Sequence, residues 1–321
     1  MFDVVALGEL LIDFTAQGTT PQGIRLFAQN PGGAPANLLC ALSNLGAVTG
    51  FIGKVGADMH GDFLRQTLLA HQVDTRGLLQ DSAFHTTLAF VEVDEQGERR
   101  FAFVRGSSAA DLALNCGELN QSLLQNTRIF HIGSLSLCVE PARSATLKAV
   151  QIAANHGALI SYDPNYRAPL WQSEAAAGEQ ARAAAALANI IKLSDEETSL
   201  LTGYRQPEPA ANVLLQTADL VAVTLGAKGA YIANRRTALH IPAFAANAVD
   251  TTGAGDSFWG GFLFWLTRHK TAPAALSPQQ LLAAGRFANA VASLCVEKPG
   301  GIPAMPFPDA VAQRLRQKSA Q

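Results

Sequence analysis

Val249-Asp250-Thr251-Thr252-Gly253-Ala254-Gly255-Asp256-Ser257-Phe258 sets small residues ahead of a carboxylate, and residues 258–266 are apolar enough to form a buried helix. If that helix begins near Gly255, the N–H groups of Ala254, Gly255 and Asp256 lack intrahelical partners and face any anion that sits there, helped by the helix dipole. Glycine lets the backbone approach a phosphate that a Cβ would hold off. Asp256 beside such a cradle suits a base that takes a proton from a hydroxyl as that oxygen attacks phosphorus. The run Gly253-Ala254-Gly255-Asp256 also fits an ordinary glycine turn with Asp256 as helix N-cap.

Outward from that stretch, short apolar runs at 4–7, 49–52, 129–132, 159–162, 190–193 and 220–224 alternate with helix-like segments at 37–45, 61–71, 141–156, 179–188 and 278–295. Continuous apolar strands between helices predict a mostly parallel sheet covered on both faces, a doubly wound α/β body. One region breaks the rhythm. Residues 87–93 and 99–105 flank the turn-forming Asp94-Glu95-Gln96-Gly97-Glu98 and read as an antiparallel hairpin, with Phe101, Phe103 and Arg105 on one face. With residues 14–30 it predicts a small antiparallel β lid, so the expectation is a single domain, 1–321, carrying a lid subdomain at about 14–31 and 86–106. The tail after Gln313 is expected to fray.

Apolar residues make up 48% of the 321 and the formal net charge is −2, which leaves no electrostatic footprint for nucleic acid or an anionic membrane. Cys40, Cys116, Cys138 and Cys295 lie far apart with no C-x-x-C pair, against a disulfide framework or thiolate metal site. The acidic start, Met1-Phe2-Asp3, does not read as a signal peptide, and the longest apolar run is about half a membrane span, so a reducing cytoplasmic setting is expected. The seven histidines show no H-E-x-x-H spacing, against catalytic zinc. No G-x-x-x-x-G-K-S/T occurs, since Gly53-Lys54 is followed by Val55, and no G-x-G-x-x-G opens the first helix; this argues against a P-loop enzyme and a dinucleotide-binding dehydrogenase.

Further constellations lie at the ends of the expected strands, where ligands of open α/β sheets collect. Asp13, in Gly8-Glu9-Leu10-Leu11-Ile12-Asp13-Phe14, can accept hydrogen bonds from vicinal hydroxyls, whereas Glu9 reads as a solvated acid or turn cap. Pro31-Gly32-Gly33-Ala34-Pro35-Ala36-Asn37 is a glycine turn entering a helix, with Asn37 offering both donor and acceptor. Ser161-Tyr162-Asp163-Pro164-Asn165-Tyr166-Arg167 sets Asn165 and Arg167 after a buried strand, where an arginine suits a transferring phosphate or an Asx-Pro turn simply forms. In Lys192-Leu193-Ser194-Asp195-Glu196-Glu197 the acids can organise Mg²⁺ and its waters, or Ser194 and Glu197 can form a capping box. Thr224-Leu225-Gly226-Ala227-Lys228-Gly229 is a strand-to-turn segment that can pass under a nucleotide.

The paired Gly32-Gly33 and the run Asp250 to Asp256 resemble the two signatures of the ribokinase-like (PfkB) sugar kinases. Residues 8–14, 31–37, 51–56, 131–137, 161–171 and 192–197 are similar in order and spacing to the fructokinase branch, so the resemblance spans essentially the whole chain. It implies an ATP-dependent, Mg²⁺-requiring kinase acting on the terminal hydroxyl of D-fructose, with Asp256 as base and Gly253, Ala254, Gly255 and Asp256 as anion hole. It implies sugar contacts from Asp13, Gly32, Gly33, Asn37, Arg105 and the aromatics Phe90 and Phe103. ATP and phosphate contacts are implied for Asn165, Arg167, Lys192, Thr224, Gly226, Lys228, Gly229 and Asn289, and a water-mediated Mg²⁺ contact for Glu197. Asp250, Thr252, Cys295, Lys298 and Gly300 are implied to form a potassium loop, although Lys298-Pro299 departs from the small residues common there, as Ser194 departs from the asparagine of many relatives. The resemblance also implies pairing of two copies through the lid. Other readings are a kinase for 2-keto-3-deoxygluconate, a nucleoside or aminoimidazole riboside, and a sugar-binding regulator without catalysis.

Overall fold

The computed structural model describes residues 1–93 and 99–317, so the turn at 94–98 lies outside the described residues. The strands are β1 (Phe2–Leu7), β2 (Leu11–Thr19), β3 (Arg25–Gly32), β4 (Thr49–Gly56), β5 (Asp74–Asp81), β6 (Leu88–Val93) and β7 (Arg99–Val104). They continue with β8 (Thr127–Ile132), β9 (Leu159–Tyr162), β10 (Ile190–Ser194), β11 (Leu220–Thr224), β12 (Ala230–Asn234) and β13 (Ala238–Ile241). The helices are α1 (Ala34–Asn44), α2 (Met59–Ala70), α3 (Gln121–Gln125), α4 (Ala142–Asn155) and α5 (Glu174–Ala185). After them come α6 (Thr198–Thr202), α7 (Pro207–Leu214), α8 (Ala254–His269), α9 (Pro278–Cys295) and α10 (Pro308–Leu315).

Nine strands form one sheet in the order β13-β12-β11-β10-β9-β8-β1-β4-β5. It is parallel from β5 to β11, as the apolar runs predict, and β12 and β13 add an antiparallel edge. Alternation along β1 divides the core: Val4 and Ala6 join the cluster with α1, α8 and α9, while Val5 and Leu7 join the cluster with α4, α5 and α7 on the other face. The chain runs from β1 outward to β4 and β5 and returns to β8 on β1's other side, so the crevice where the order reverses opens at the carboxyl ends of β1 and β8.

A second, four-stranded sheet has the order β3-β2-β6-β7. It consists of two antiparallel hairpins, β2 with β3 and β6 with β7, joined through a parallel β2–β6 pair. Phe14 and Phe90 stack with ring centroids 5.2 Å apart on one of its faces, and Phe14 meets His60 of α2 edge-on at 5.6 Å. Asp58 ties this sheet to the body. Its carboxylate caps α2 through His60 and Gly61 N–H (3.0 and 2.8 Å) and also accepts from the N–H and hydroxyl of Thr86 (2.9 and 2.8 Å), just before β6.

α8 is wedged between α1 and α9. A Cβ on Gly260 would come within 3.0 Å of Ala41, and one on Gly261 within 2.9 Å of Val291, so these glycines permit the close approach. Trp259 is fully buried, and its indole N–H donates to Ser161 Oγ (2.8 Å), which also pairs with His131 Nδ1 (2.9 Å). Burial, with help from the charge on Lys192, pushes the His131 imidazole down to about 3, so it stays neutral and holds this bond at all working pH. Of the tail expected to fray after Gln313, the start is corrected, since α10 continues to Leu315 and Arg314, 8% exposed, is anchored to Glu297 (2.7 Å) and Ser293 (2.8 Å), while residues 318–321 lie outside the described residues.

Asp58→Ala should lower stability by about 1–2 kcal/mol, the worth of a lost helix cap, in urea unfolding at pH 7. Burial acts to raise the Asp58 carboxyl, and the hydrogen bonds from Thr86, Gly61 and His60 outweigh it, leaving it below the ordinary value of 3.8. The stability it contributes is therefore present above that value and lost as pH falls below it, so wild type and variant should converge toward acid.

Candidate active site

The N-terminus of α8 opens into a cleft of about 670 Å³ at the carboxyl ends of the parallel strands. Gly253 is the helix N-cap, with φ of 76°, a left-handed conformation that suits glycine. Asp256 is thus in the first turn and is not the N-cap. Ala254 N–H closes a turn onto Thr251 O (3.2 Å), so it is not a free donor as the sequence suggests. Among the described residues, the N–H groups of Gly255 and Asp256 have no acceptor, and these form the cradle at the positive end of the dipole.

Asp256 is 8% exposed. Its Oδ2 accepts from Asn37 Nδ2 (2.8 Å), one turn into α1, and its Oδ1 from Asn165 Nδ2 (2.9 Å), in the loop after β9. Asn165 adopts φ of 45°, a left-handed conformation that asparagine tolerates, and its N–H bonds to Asp163 Oδ1 (3.2 Å). Asp163 Oδ2 in turn accepts from Lys192 Nζ (2.8 Å), with both side chains buried. The ammonium lies against the start of α8, where a Cβ on Gly255 would come within 2.7 Å of it. Burial and the charge of Asp163 push the Asp256 carboxyl up, Lys192, Asn37 and Arg167 pull it back, and it settles at about 6. Burial lowers Lys192, but Asp163, Glu197 and Asp256 more than offset it, so the lysine stays charged.

Glu197 is buried and fully engaged, its oxygens accepting from Tyr166 N (2.7 Å) and Ser194 N (2.8 Å). It braces the two loops, while Asp195 and Glu196 stand exposed at the cleft rim. Among the described residues no cluster of three or more His, Cys, Asp or Glu could hold a metal. Asp250 Oδ1 accepts from Thr252 N and Oγ1 (2.9 and 2.7 Å) and Oδ2 from Gly300 N (2.8 Å), which fixes the loop beside the cradle.

Of the residues singled out from sequence, Asp13, Gly33, Asn37, Phe103, Asn165, Arg167, Lys192, Thr224, Gly226, Glu197, Asp250, Thr252, Gly300 and the run 253–256 line this cleft. Others lie off it. Gly32 sits behind Asp13, whose Oδ2 would be 2.3 Å from a Cβ there. Phe90 turns to the opposite face of its sheet, stacked on Phe14. Arg105 is not available as a ligand cation, because its guanidinium pairs with Asp111 (2.7 Å) and donates to Leu135 O (2.9 Å) with its side chain 2% exposed. Lys228 is exposed beyond the wall, and Gly229 abuts β13, where a Cβ would come within 2.1 Å of Ile241 O. The Asn289 amide is consumed by the carbonyls of Ile241 (3.0 Å) and Pro242 (3.1 Å). Cys295 is buried, its thiol directed at Thr252 O (3.7 Å), and Lys298 is exposed, its N–H on Cys295 O (3.2 Å).

Sequence reasoning gave no role to Asp163, the hinge between Lys192 and Asn165; its place between a buried strand and a proline was the available signal. Glu9, read as a solvated acid or turn cap, is instead 3% exposed, and it caps across space, accepting from Ala34 N–H of α1 (3.0 Å).

The chain matches the pfkB family carbohydrate kinases over residues 1–308. Probable fructokinase-5 of Arabidopsis thaliana is 40% identical over 320 residues, covering 98% of both chains. Fructokinase from Xylella fastidiosa, solved with bound ATP, superposes with a TM-score of 0.90 at 33% identity, covering 98% of this chain and 99% of that one. Fructokinase from Vibrio cholerae O395, in a form with fructose, ADP and calcium ion bound, gives 0.88 at 32% identity with the same coverage. The chain belongs to the pfkB family of carbohydrate kinases.

Asn37→Ala removes a donor that lowers the Asp256 carboxyl, so its ionisation should move above about 6. A rate that needs ionised Asp256 would then fall off at a higher pH than in wild type; kcat profiles from pH 5 to 8 check the direction.

Proposed function

We propose that this chain transfers the γ-phosphate of ATP to the terminal primary hydroxyl of D-fructose, giving fructose 6-phosphate and ADP. The observation that carries the reading is Asp256, buried, held on both oxygens and set in the first turn of a helix whose open N–H groups face the same cleft. Asp256 takes the hydroxyl proton as the O–P bond forms, and the bond from the γ-phosphorus to the departing ADP oxygen breaks. Gly255 and Asp256 N–H, Lys192 and Arg167 bear the charge on the transferring group. Fructokinase relatives that match nearly the whole chain support fructose over other sugars. Engagement of Arg105 by Asp111 removes one of the two cations, Arg105 and Arg167, that a sugar acid such as 2-keto-3-deoxygluconate could use, and Arg167 lines the cleft.

Mg²⁺ arriving with the nucleotide would supply charge neutralisation. The exposed Asp195 and Glu196 and the bracing Glu197 fit an ion held mainly through water. Potassium is proposed for the loop of Asp250, Thr252 and Gly300, where the acid's oxygens accept from Thr252 N and Oγ1 and from Gly300 N, so that backbone carbonyls would have to supply the ligands. The reading also includes pairing of two copies through the small sheet acting as a lid, where Ile24, Leu26 and Phe27 are exposed. A cytoplasmic setting accords with four free cysteines.

Asp256→Asn should keep the fold and ATP affinity and lose on the order of 10²- to 10⁴-fold in kcat, read as ADP release with fructose as acceptor. Near-normal turnover in that variant would remove Asp256 from the chemistry.

A further inference from the structure

Asp163 lies behind the cleft. Its side chain is 3% exposed and is not part of the lining, whereas Asn165 and Lys192, the two residues it holds, both line the wall. Both of its oxygens are committed: Oδ1 accepts from Asn165 N–H (3.2 Å) and Oδ2 from Lys192 Nζ (2.8 Å). The backbone is anchored independently of that carboxylate, since Asp163 N–H donates to Ile132 O (3.2 Å) and Pro164 O accepts from Ser134 N–H (3.2 Å). Each partner depends on the acid for a different reason. Asn165 stands at φ of 45°, and the bond from its N–H to a side chain two residues back is the local device that holds such a turn. From that conformation its Nδ2 reaches Asp256 Oδ1 (2.9 Å). Lys192 is a buried ammonium, which is costly without a paired acid, and its Nζ lies where a Cβ on Gly255 would be 2.7 Å away.

We infer that Asp163 is a positioning residue for phosphoryl transfer: from behind the cleft it holds the Asn165 amide on the base and the Lys192 ammonium at the mouth of α8 in one fixed arrangement. The inference rests on the kinase reading above and adds to it a residue outside the substrate cleft. A carboxylate only accepts, so it serves both donors at once; a carboxamide has one accepting atom and turns its own donor toward the other partner. The charges matter as well as the geometry. Asp163 raises the Asp256 carboxyl and Lys192 lowers it, so the pair adjusts the base in opposite senses. The other groups facing Asp256 are Asn37 of α1, Arg167 of the loop after β9, and Cys295 of α9, whose thiol burial pushes up to about 11 and so keeps neutral.

The test is Asp163→Asn, followed as ADP release with fructose and Mg-ATP across pH. Because the carboxamide serves Asn165 or Lys192 and not both, kcat should fall on the order of 10²-fold, the cost of a displaced catalytic group. The KM for fructose should stay within about 3-fold of wild type. With the acid's charge gone and that of Lys192 retained, the Asp256 carboxyl should drop below about 6, so the acid limb of kcat moves to lower pH. Asp163→Asn/Lys192→Met removes both charges and should return that limb toward its wild-type position, a reversal that lost packing would not produce. In the Lys192→Met background, Asp163→Asn keeps a carbonyl for Asn165 N–H and Asp163→Ala does not, so the former should turn over about 10-fold faster. That comparison decides the matter even where the single variant does not fold. Wild-type kcat in Asp163→Asn, an acid limb that does not move in it, or equal kcat for the two double variants overturns the inference and leaves the kinase reading intact. Failure of wild type to phosphorylate fructose overturns both.

Discussion

A carboxylate that must remain basic while buried is the constraint around which this molecule is arranged. Taken out of water, Asp256 would hold its proton, and the opposing charge of Asp163 makes that tendency stronger. Two amide donors, one on each oxygen, and a nearby ammonium restore ionisation, and the outcome near 6 leaves the group charged at neutral pH yet more basic than a free aspartate. Those donors come from α1 and the loop after β9, so the base exists only when distant parts of the chain are docked on α8. The Trp259–Ser161–His131 chain and the glycine contacts of α8 with α1 and α9 fix the rotation of that helix and with it the direction of the side chain.

Parallel topology explains why the groups meet. Every strand from β1 to β11 in the main sheet ends on the same edge, so loops far apart in sequence, after β1, β9, β10 and β11, are delivered to one crevice. The order reversal beside β1 leaves room there, and α8 fills its far side with a helix terminus. An antiparallel sheet would alternate loop ends and divide these residues between two faces.

The strands that were legible in sequence are those buried on both faces, because their apolar runs are continuous. β5 was not, since Asp74, Arg76, Gly77 and Gln80 interrupt an edge strand with one wetter side; β12 and β13 are an antiparallel edge whose short, mixed pattern carries little period. At the site, Asp256, Asn37 and Asn165 could be found because each sits in a local pattern of turn and helix. Arg105 and Asn289 show the limit of such patterns. Their side chains are the right types for ligands, but Asp111 and the carbonyls of Ile241 and Pro242 consume them, and those partners are fixed by the fold. Glu9 fails in the opposite sense: an acid after a strand reads as solvated, and only packing of the Gly33 turn over it makes it dry.

Charge across the cleft is divided unequally. The wall nearest β10 and the α8 terminus carries Arg167, Lys192 paired with Asp163, and the acids Asp195, Glu196 and Glu197, so it is the open N–H groups of the helix terminus together with Arg167 that favour an anion at that end. The wall around Glu9 and Asp13 carries carboxylates, and the nearby Arg105 guanidinium is paired with Asp111. Asp256 stands at the boundary between these regions, where the proposed reaction would bring a hydroxyl from one side and a phosphorus from the other to the same carboxylate.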